Sequence, residues 1–201
     1  MKLYHTSDSL QLGEKLNPEF HGHRWLMEPF LEALRRSEDC FYGMMLGQQY
    51  LYYLFQRQKW ANWSVTPKHP TEAVFEYIRL TEFPDHVSRI SSNYFYDDLN
   101  LCKYFYHITW SRDDEEYRQR VHMYEIETDQ NALTKRDMRL YDMGLEAIRD
   151  RMDIQAAKDA ARRYFSGDQT DDPVWEYLSE QEAVAAVDVT HLLLELLSDT
   201  P

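Results

Sequence analysis

The residues best suited to chemistry lie in the run Ser88-Arg-Ile-Ser-Ser-Asn-Tyr-Phe-Tyr-Asp-Asp-Leu-Asn-Leu-Cys-Lys-Tyr-Phe105. Ile90 to Tyr96 reads as a strand carrying three rings, Tyr94, Phe95 and Tyr96. Asp97 and Asp98 follow, where carboxylates favour a helix start by capping free N–H groups and complementing the helix dipole. Leu99, Leu101, Cys102, Phe105 and Tyr106 give that helix an apolar side. Strand, tight turn and helix, with hydroxyls and rings along one edge, make a lining that can hold a flat ring beside a sugar. An aromatic core strand is the plainer reading of the same residues. Two further residues are candidates to act with this stretch: His5, at the end of a first strand, and Glu176, between Trp175 and Tyr177 in a late strand. Other chemistries lack their patterns. None of the six glycines falls in a phosphate-loop spacing, and there is no HExxH, GxSxG or CxxC. His21 and His23, two apart, do not share a helix face and have no third ligand nearby, so no metal site is expected.

The elements that must position these residues are read from periodicity. Residues 2–6 form a short first strand, and Ser7 to Phe20, with Gly13 and Pro18, a loop. Leu26, Phe30, Leu31 and Leu34 have helical spacing over Trp25 to Arg36, where Pro29 is tolerable only in the first turn. Phe41 to Trp60 reads as a buried helix through Met44, Met45, Leu46, Tyr50, Leu51, Leu54 and Phe55. Ala61 to Pro70 is a linker. Thr71 is positioned to cap a helix whose face is Val74, Phe75, Ile78 and Leu80 and which ends before Pro84. Ser111 to Arg120 is a charged loop. Val121 to Glu127 alternates as a strand. Leu140 to Met152 and Ile154 to Phe165 are helical; Val174 to Leu178 and Ala183 to Val189 are strands; His191 to Leu197 closes the chain as a helix.

The 201 residues suffice for one domain with a real core, and no repeat, low-complexity tract or boundary divides 1–201. The expected class is α+β, a split and mostly antiparallel sheet with helices inserted between its early strands. Aromatics reach 14%, with 15 Tyr, so a core or binding surface is ring-rich. Two cysteines, Cys40 and Cys102, do not make a disulfide framework, and a reducing, cytoplasmic setting is expected. The net charge of −13 argues against a general nucleic-acid binder and suits a basic partner. No signal peptide is evident, and Leu192 to Leu197 is too short to span a membrane.

The candidate residues carry a resemblance, in chain order. Leu3-Tyr-His-Thr6 resembles the first-strand signature of ADP-ribosyltransferases of the diphtheria-toxin and poly(ADP-ribose) polymerase type, and is closer still to the Tyr-His-x-Thr opening of DarT-type DNA-modifying toxins. Asn93-Tyr-Phe-Tyr-Asp97 before a helix resembles the polymerases' Ile-Tyr-Phe-Ala-Asp segment, and Val174-Trp-Glu-Tyr-Leu178 resembles the Ala-Glu-Phe-Leu motif of the DarT-type toxins. Glu76 to Ser92 is also similar to an uncharacterised bacterial family thought to share this fold. Together these cover about a quarter of the chain; the helices from Trp25 to Leu80 fall outside the resemblance. The family's serine that bonds the nicotinamide amide falls at Cys102, a departure.

What the resemblance implies is NAD-dependent mono-ADP-ribosyl transfer to a macromolecule, whether RNA, DNA or protein, by a toxin or effector with a neutralising antitoxin or inhibitor protein. Cleaving the nicotinamide–ribose bond builds positive charge on the ribose. A carboxylate that faces that charge stabilises the transition state. The implied roles are Glu176 as that catalytic carboxylate and His5 on the adenosine-side ribose. Backbone groups of Thr6 meet the nicotinamide amide. Tyr94 and Phe105, or its neighbour Tyr104, stack on the ring. Arg89 meets the pyrophosphate, and Ser91 is a further cofactor-binding residue. Glu125 and Glu127 are the rival carboxylates, and Arg79 and Arg89 have surface or structural salt bridges as their alternative role. Two other functions compete. One is a non-enzymatic module of the same fold that binds a protein, which Cys102 would suit. The other moves an RNA 2′-phosphate onto NAD, for which Arg35-Arg36 and Arg162-Arg163 are poorly sited.

Overall fold

The computed structural model describes residues 1–17, 24–57, 67–105 and 120–194. The histidines at 21 and 23, the linker from Ala61 to Thr66, most of the charged loop from Ser111 and the chain end beyond Leu194 lie outside the described residues. In order, the elements are β1 (Tyr4–Ser7), β2 (Lys15–Leu16), α1 (Arg24–Arg36), α2 (Glu38–Arg57), α3 (Lys68–Glu82), β3 (Asn93–Phe95), α4 (Leu99–Phe105), β4 (His122–Glu127), β5 (Thr134–Asp137), α5 (Met138–Arg151), α6 (Ile154–Ser166), β6 (Trp175–Ser179), β7 (Ala183–Asp188) and α7 (His191–Leu194). The fold is α+β with antiparallel sheets. Helices are inserted between β2 and β3, as expected, and also between β5 and β6. The chain divides into two compact units. Unit 1 comprises residues 1–20, 91–135 and 175–201; unit 2 comprises 21–90 and 136–174.

Unit 2 is helical. Met27, Phe30, Leu31 and Leu34, three or four residues apart on α1, form one buried face. They join Phe41 and Met45 of α2, Ala73 and Val74 of α3, Ala147 and Ile148 of α5, and Ile154 and Ala157 of α6 in one core. Phe30 and Phe41 are wholly buried, each contributing roughly 1.5–3 kcal/mol by burial. On α5, a Cβ at Gly144 would lie 2.6 Å from the Phe75 ring, so glycine is what lets α5 approach α3. Two expectations are corrected. Pro29 sits in the second turn of α1, where it leaves the Trp25 carbonyl without its helical donor. Thr71 is not a cap. α3 starts at Lys68 behind Pro67, and the Thr71 hydroxyl donates back to the Pro67 carbonyl at 2.8 Å. The exposure of Leu46 and Leu80 also narrows the apolar faces read for their helices.

Unit 1 carries the sheets. One has the order β1-β4-β7-β2, the other β3-β6-β5, and the chain leaves unit 1 within β5. The pairings β1–β4, β4–β7, β2–β7 and β3–β6 are antiparallel. β4 is central and buries both faces. Tyr124 and Ile126 pack with Leu3, Phe95, Tyr177, Ala183 and Ala185 on one side, and Met123 with Val121, Cys102 and Val189 on the other. The strand expected from Ile90 to Tyr96 is shorter, Asn93–Phe95, because Arg89–Ser91 turns as a 3₁₀ helix. β2 and β5 were not legible beforehand: β2 is two residues long, and Thr134-Lys-Arg-Asp137 has no apolar alternation.

Candidate functional site

Among the described residues of unit 1, an isolated backbone bridge joins the two sheets. Tyr4 N–H donates to the Tyr96 carbonyl at 2.8 Å, and Tyr96 N–H to the Tyr4 carbonyl at 3.1 Å. In an antiparallel ladder, alternate residues turn their backbone groups to the same edge. Tyr4 faces β3, so Thr6, two residues on, faces that edge too. Consistently, the Met123 amide opposite Thr6 donates to the Thr190 hydroxyl at 3.0 Å and not into β1. Past the bridge, the ladder between β1 and β3 stops. What crosses there is the His5 ring, whose Nδ1 lies 2.9 Å from the Tyr94 carbonyl. A carbonyl only accepts, so Nδ1 carries the proton and, in the neutral ring, Nε2 bears the lone pair. His5 is half-buried, with its edge to Phe95 at 6.3 Å. The site is therefore a split between two strands. One edge presents a peptide N–H and C=O from Thr6, a pair that matches the donor and acceptor of a primary carboxamide.

Tyr94 pairs with Leu178 across β3–β6. Side chains two apart on a strand share a face, so Tyr94 and Glu176 lie on the same side of this sheet. Tyr96 lies on that side too and packs with Leu99 and Cys102 of α4. α4 is set there by its start: the Asp98 carboxylate accepts the Asn100 N–H at 2.8 Å, as Asp at a helix start was expected to do. His5 lies on the opposite face, which is why it reaches the Tyr94 backbone and not its ring. Tyr94 is half-buried, and Glu176 is 1% exposed. The split thus brings His5, Thr6, Tyr94 and Glu176 into adjoining strands of one unit.

The remaining expected residues divide. Cys102 is 1% exposed in the core of α4; burial, then Asp98 and Asp97, push its thiol up to about 12. It is a core side chain, packed with Val121, Met123 and Val189. Tyr104 is 57% exposed, and the Phe105 side chain lies outside the described residues. Ser91 donates to the Glu180 carboxylate at 3.3 Å. Arg89, expected at a pyrophosphate, has the structural contacts of its alternative role. It belongs to unit 2 and is 5% exposed. Its guanidinium meets Glu72 at 3.3 Å and the Tyr164 hydroxyl at 2.9 Å, and it lies 4.0 Å from the Tyr141 ring centre. Arg79 is likewise structural, forming two bonds to Glu76 and donating to the carbonyls of Pro84 and His86. Of the rival carboxylates, Glu125 pairs with Lys2 at 2.7 Å and Glu127 is exposed.

Sequence reading missed one contact beside the site. The Tyr177 hydroxyl donates to Asp97 at 2.7 Å, and burial together with that carboxylate raises the phenol's pKa. This bond ties β6, next to Glu176, to the turn that leads into α4. A groove of about 540 Å³ along α5, lined by Arg139, Asp142, Met143, Glu146 and Asp172, contains none of the expected site residues. No group of three metal-ligating side chains occurs among the described residues. Compared with known proteins, the chain matches no family model and no curated protein.

Proposed function

We propose that the protein is an NAD-dependent mono-ADP-ribosyltransferase that modifies a macromolecule, protein or nucleic acid. The observation that carries this reading is the split past the Tyr4–Tyr96 bridge, with the Thr6 peptide turned into it and the His5 ring spanning it to Tyr94. In this reading the nicotinamide carboxamide bonds the Thr6 backbone, and the ring packs on Tyr94. His5, with its tautomer fixed by the Tyr94 carbonyl, offers Nε2 to a ribose hydroxyl. Glu176 faces the positive charge that grows on the ribose as nicotinamide leaves. Burial suits that role, because a carboxylate screened from water stabilises such charge more strongly. Cys102 leaves the amide without the family's serine, so amide recognition falls to the Thr6 backbone alone. A toxin or effector role in the cytoplasm, with a neutralising protein partner, belongs to the same proposal. No described helix is long and apolar enough to cross a membrane.

The 1% exposure of Glu176 also favours a second reading, a non-enzymatic module of the same architecture that binds a protein. The two separate in one experiment. The full chain is incubated with labelled NAD and separate pools of protein, RNA and DNA, and its melting temperature is followed with and without NAD. The enzyme gives an NAD-dependent upward shift and label transfer, and Glu176→Gln lowers transfer by at least a hundredfold while keeping the shift. Full transfer by Glu176→Gln sinks the assignment of Glu176; no shift and no transfer by the wild type leave the module.

A further inference from the structure

Helix α2 presents a face that its own chain leaves open. Its inner side is set by Phe41 and Met45, four residues apart and buried in the core of unit 2. On the other side Asp39, Gly43 and Gly47 are exposed, and Leu46 is 55% exposed. A Cβ at Gly43 or at Gly47 would meet nothing within 4 Å. No packing inside the chain therefore requires glycine at either position, and glycine inside a helix is disfavoured relative to alanine. Where two backbones come close, its lack of a side chain is an advantage. The neighbouring acid, Glu38, is already engaged, since its carboxylate accepts from Gln155 and Lys158 of α6. Asp39 is the charge that the start of α2 turns outward.

The open face continues as a register along the helix. Positions 39, 43, 46, 50, 53 and 57 alternate steps of four and three within Glu38–Arg57. That is the seam spacing of two helices packed at a small crossing angle. In order, the residues are Asp39, Gly43, Leu46, Tyr50, Tyr53 and Arg57. Reversed about residue 48, the series is complementary to itself. Position 39 falls opposite 57, so aspartate meets arginine. Position 43 falls opposite 53, so the smallest residue meets a large one. Position 46 falls opposite 50, leucine against tyrosine. Gly47 flanks the centre. A parallel register would instead set aspartate on aspartate and arginine on arginine.

We propose that α2 is a self-association surface, on which a second copy of this chain lays its own α2 antiparallel across a two-fold axis near residue 48. Such a contact is isologous, so each pair occurs twice and the assembly closes at two copies. The occupant is a second copy because acid and base, and small and large, are matched within one stripe of one helix. The pairing uses no residue of the split and holds whether or not the chain transfers ADP-ribose.

The test follows the full chain by sedimentation up to about 100 μM, because a single helix pair is a small interface. A dimer is expected, weakening as salt rises and screens the end charges. Asp39→Arg and Arg57→Asp should each raise the dissociation constant about tenfold or more, since the two-fold counts every pair twice. The double exchange restores opposite charges and should restore the wild-type affinity. Gly43→Gln should abolish the dimer. At a dilution where the wild type is monomeric, it should keep or raise the melting temperature, because the single chain has space there and glutamine favours helix. A wild type that is monomeric throughout the range overturns the proposal. So does a dimer that neither single exchange weakens, one that the double exchange leaves as weak as the singles, or one that Gly43→Gln leaves intact.

Discussion

At the scale of single residues, Cys102 separates likeness from role. The sequence likeness led to the expectation of a ligand-bonding serine at this position, yet the Cys102 side chain is enclosed by Val121, Met123 and Val189 and burial pushes its thiol up. A hydroxyl placed there would be a buried polar group without a designed partner, which costs about 1–3 kcal/mol. Cys102→Ser is therefore expected to lower the melting temperature and to leave NAD affinity unchanged; a tighter NAD shift in the serine variant would show that this position does reach the ligand. His5, Tyr94 and Glu176 could be picked out as candidates because each sits inside a short motif, whereas the pairing of β1, β3 and β6 that sets their strands side by side is not written in those motifs. Cys102 was read on the apolar side of its helix and Arg89 with a structural salt bridge as its alternative, but the partners that bury them were not legible. Their environments are made by Glu72, Tyr141 and Tyr164 in one case and by β4 and β7 in the other, all distant in sequence. The Tyr177–Asp97 bond, eighty positions apart, is hidden for the same reason.

Among the elements, those with strong local signals matched the structure: α1, α2, α5, α6, β4, β6 and β7 lie within a few residues of where periodicity placed them. β5 was missed because Thr134-Lys-Arg-Asp137 is polar, and only tertiary pairing makes it a strand. Its last residue is a heavily bonded carboxylate. Asp137 caps α5 by accepting the Arg139 N–H at 3.0 Å. It also accepts the Thr170 N–H at 2.8 Å, the Thr170 hydroxyl at 2.7 Å and the Val174 N–H at 3.0 Å. It thereby pins the start of α5, the turn after α6 and the approach to β6. Burial alone would raise its pKa, but these hydrogen bonds outweigh it and hold the carboxyl below its usual value. The folded pKa is lowered, so the stabilisation is present above the unfolded value of about 3.9 and is lost as pH falls through the folded value. Asp137→Asn, which keeps the shape but loses the charge and half the acceptors, should destabilise by about 1–3 kcal/mol at pH 7. It should also flatten the acid limb of the melting-temperature profile below pH 4. An acid limb as steep as that of the wild type would mean another carboxylate carries it.

Across the whole molecule, the division into two units left no mark in composition, because at the three crossings among the described residues no linker separates them. Of the four crossings, the one between Phe20 and His21 lies outside the described residues; the others fall between Ile90 and Ser91 inside a 3₁₀ turn, between Lys135 and Arg136 within β5, and between Val174 and Trp175 at the start of β6. Proline-rich or charged tracts, the usual signs of a boundary, have no place at such points. The cores nevertheless draw on separated segments. In unit 2, Met27, Phe30, Leu34, Phe41 and Val74 from residues 21–90 close against Ala147, Ile148, Ile154 and Ala157 from residues 136–174. α3 buries Glu72 and Glu76 against Arg89 and Ser88 within the first segment, but the Tyr164 hydroxyl that completes the Arg89 site comes from the second. A fragment spanning 21–90 would keep its charges and lose half its apolar cover. Leaving a buried Arg–Glu pair partly unsatisfied costs more than the pair contributes. Such a fragment is expected to show no cooperative thermal transition alone, and to gain helical circular dichroism and a melting transition when the 136–174 fragment is added in trans. Cooperative melting of 21–90 by itself would mean that α1 to α3 form a core without α5 and α6, and that the second segment is an attachment to unit 2 and not part of its interior.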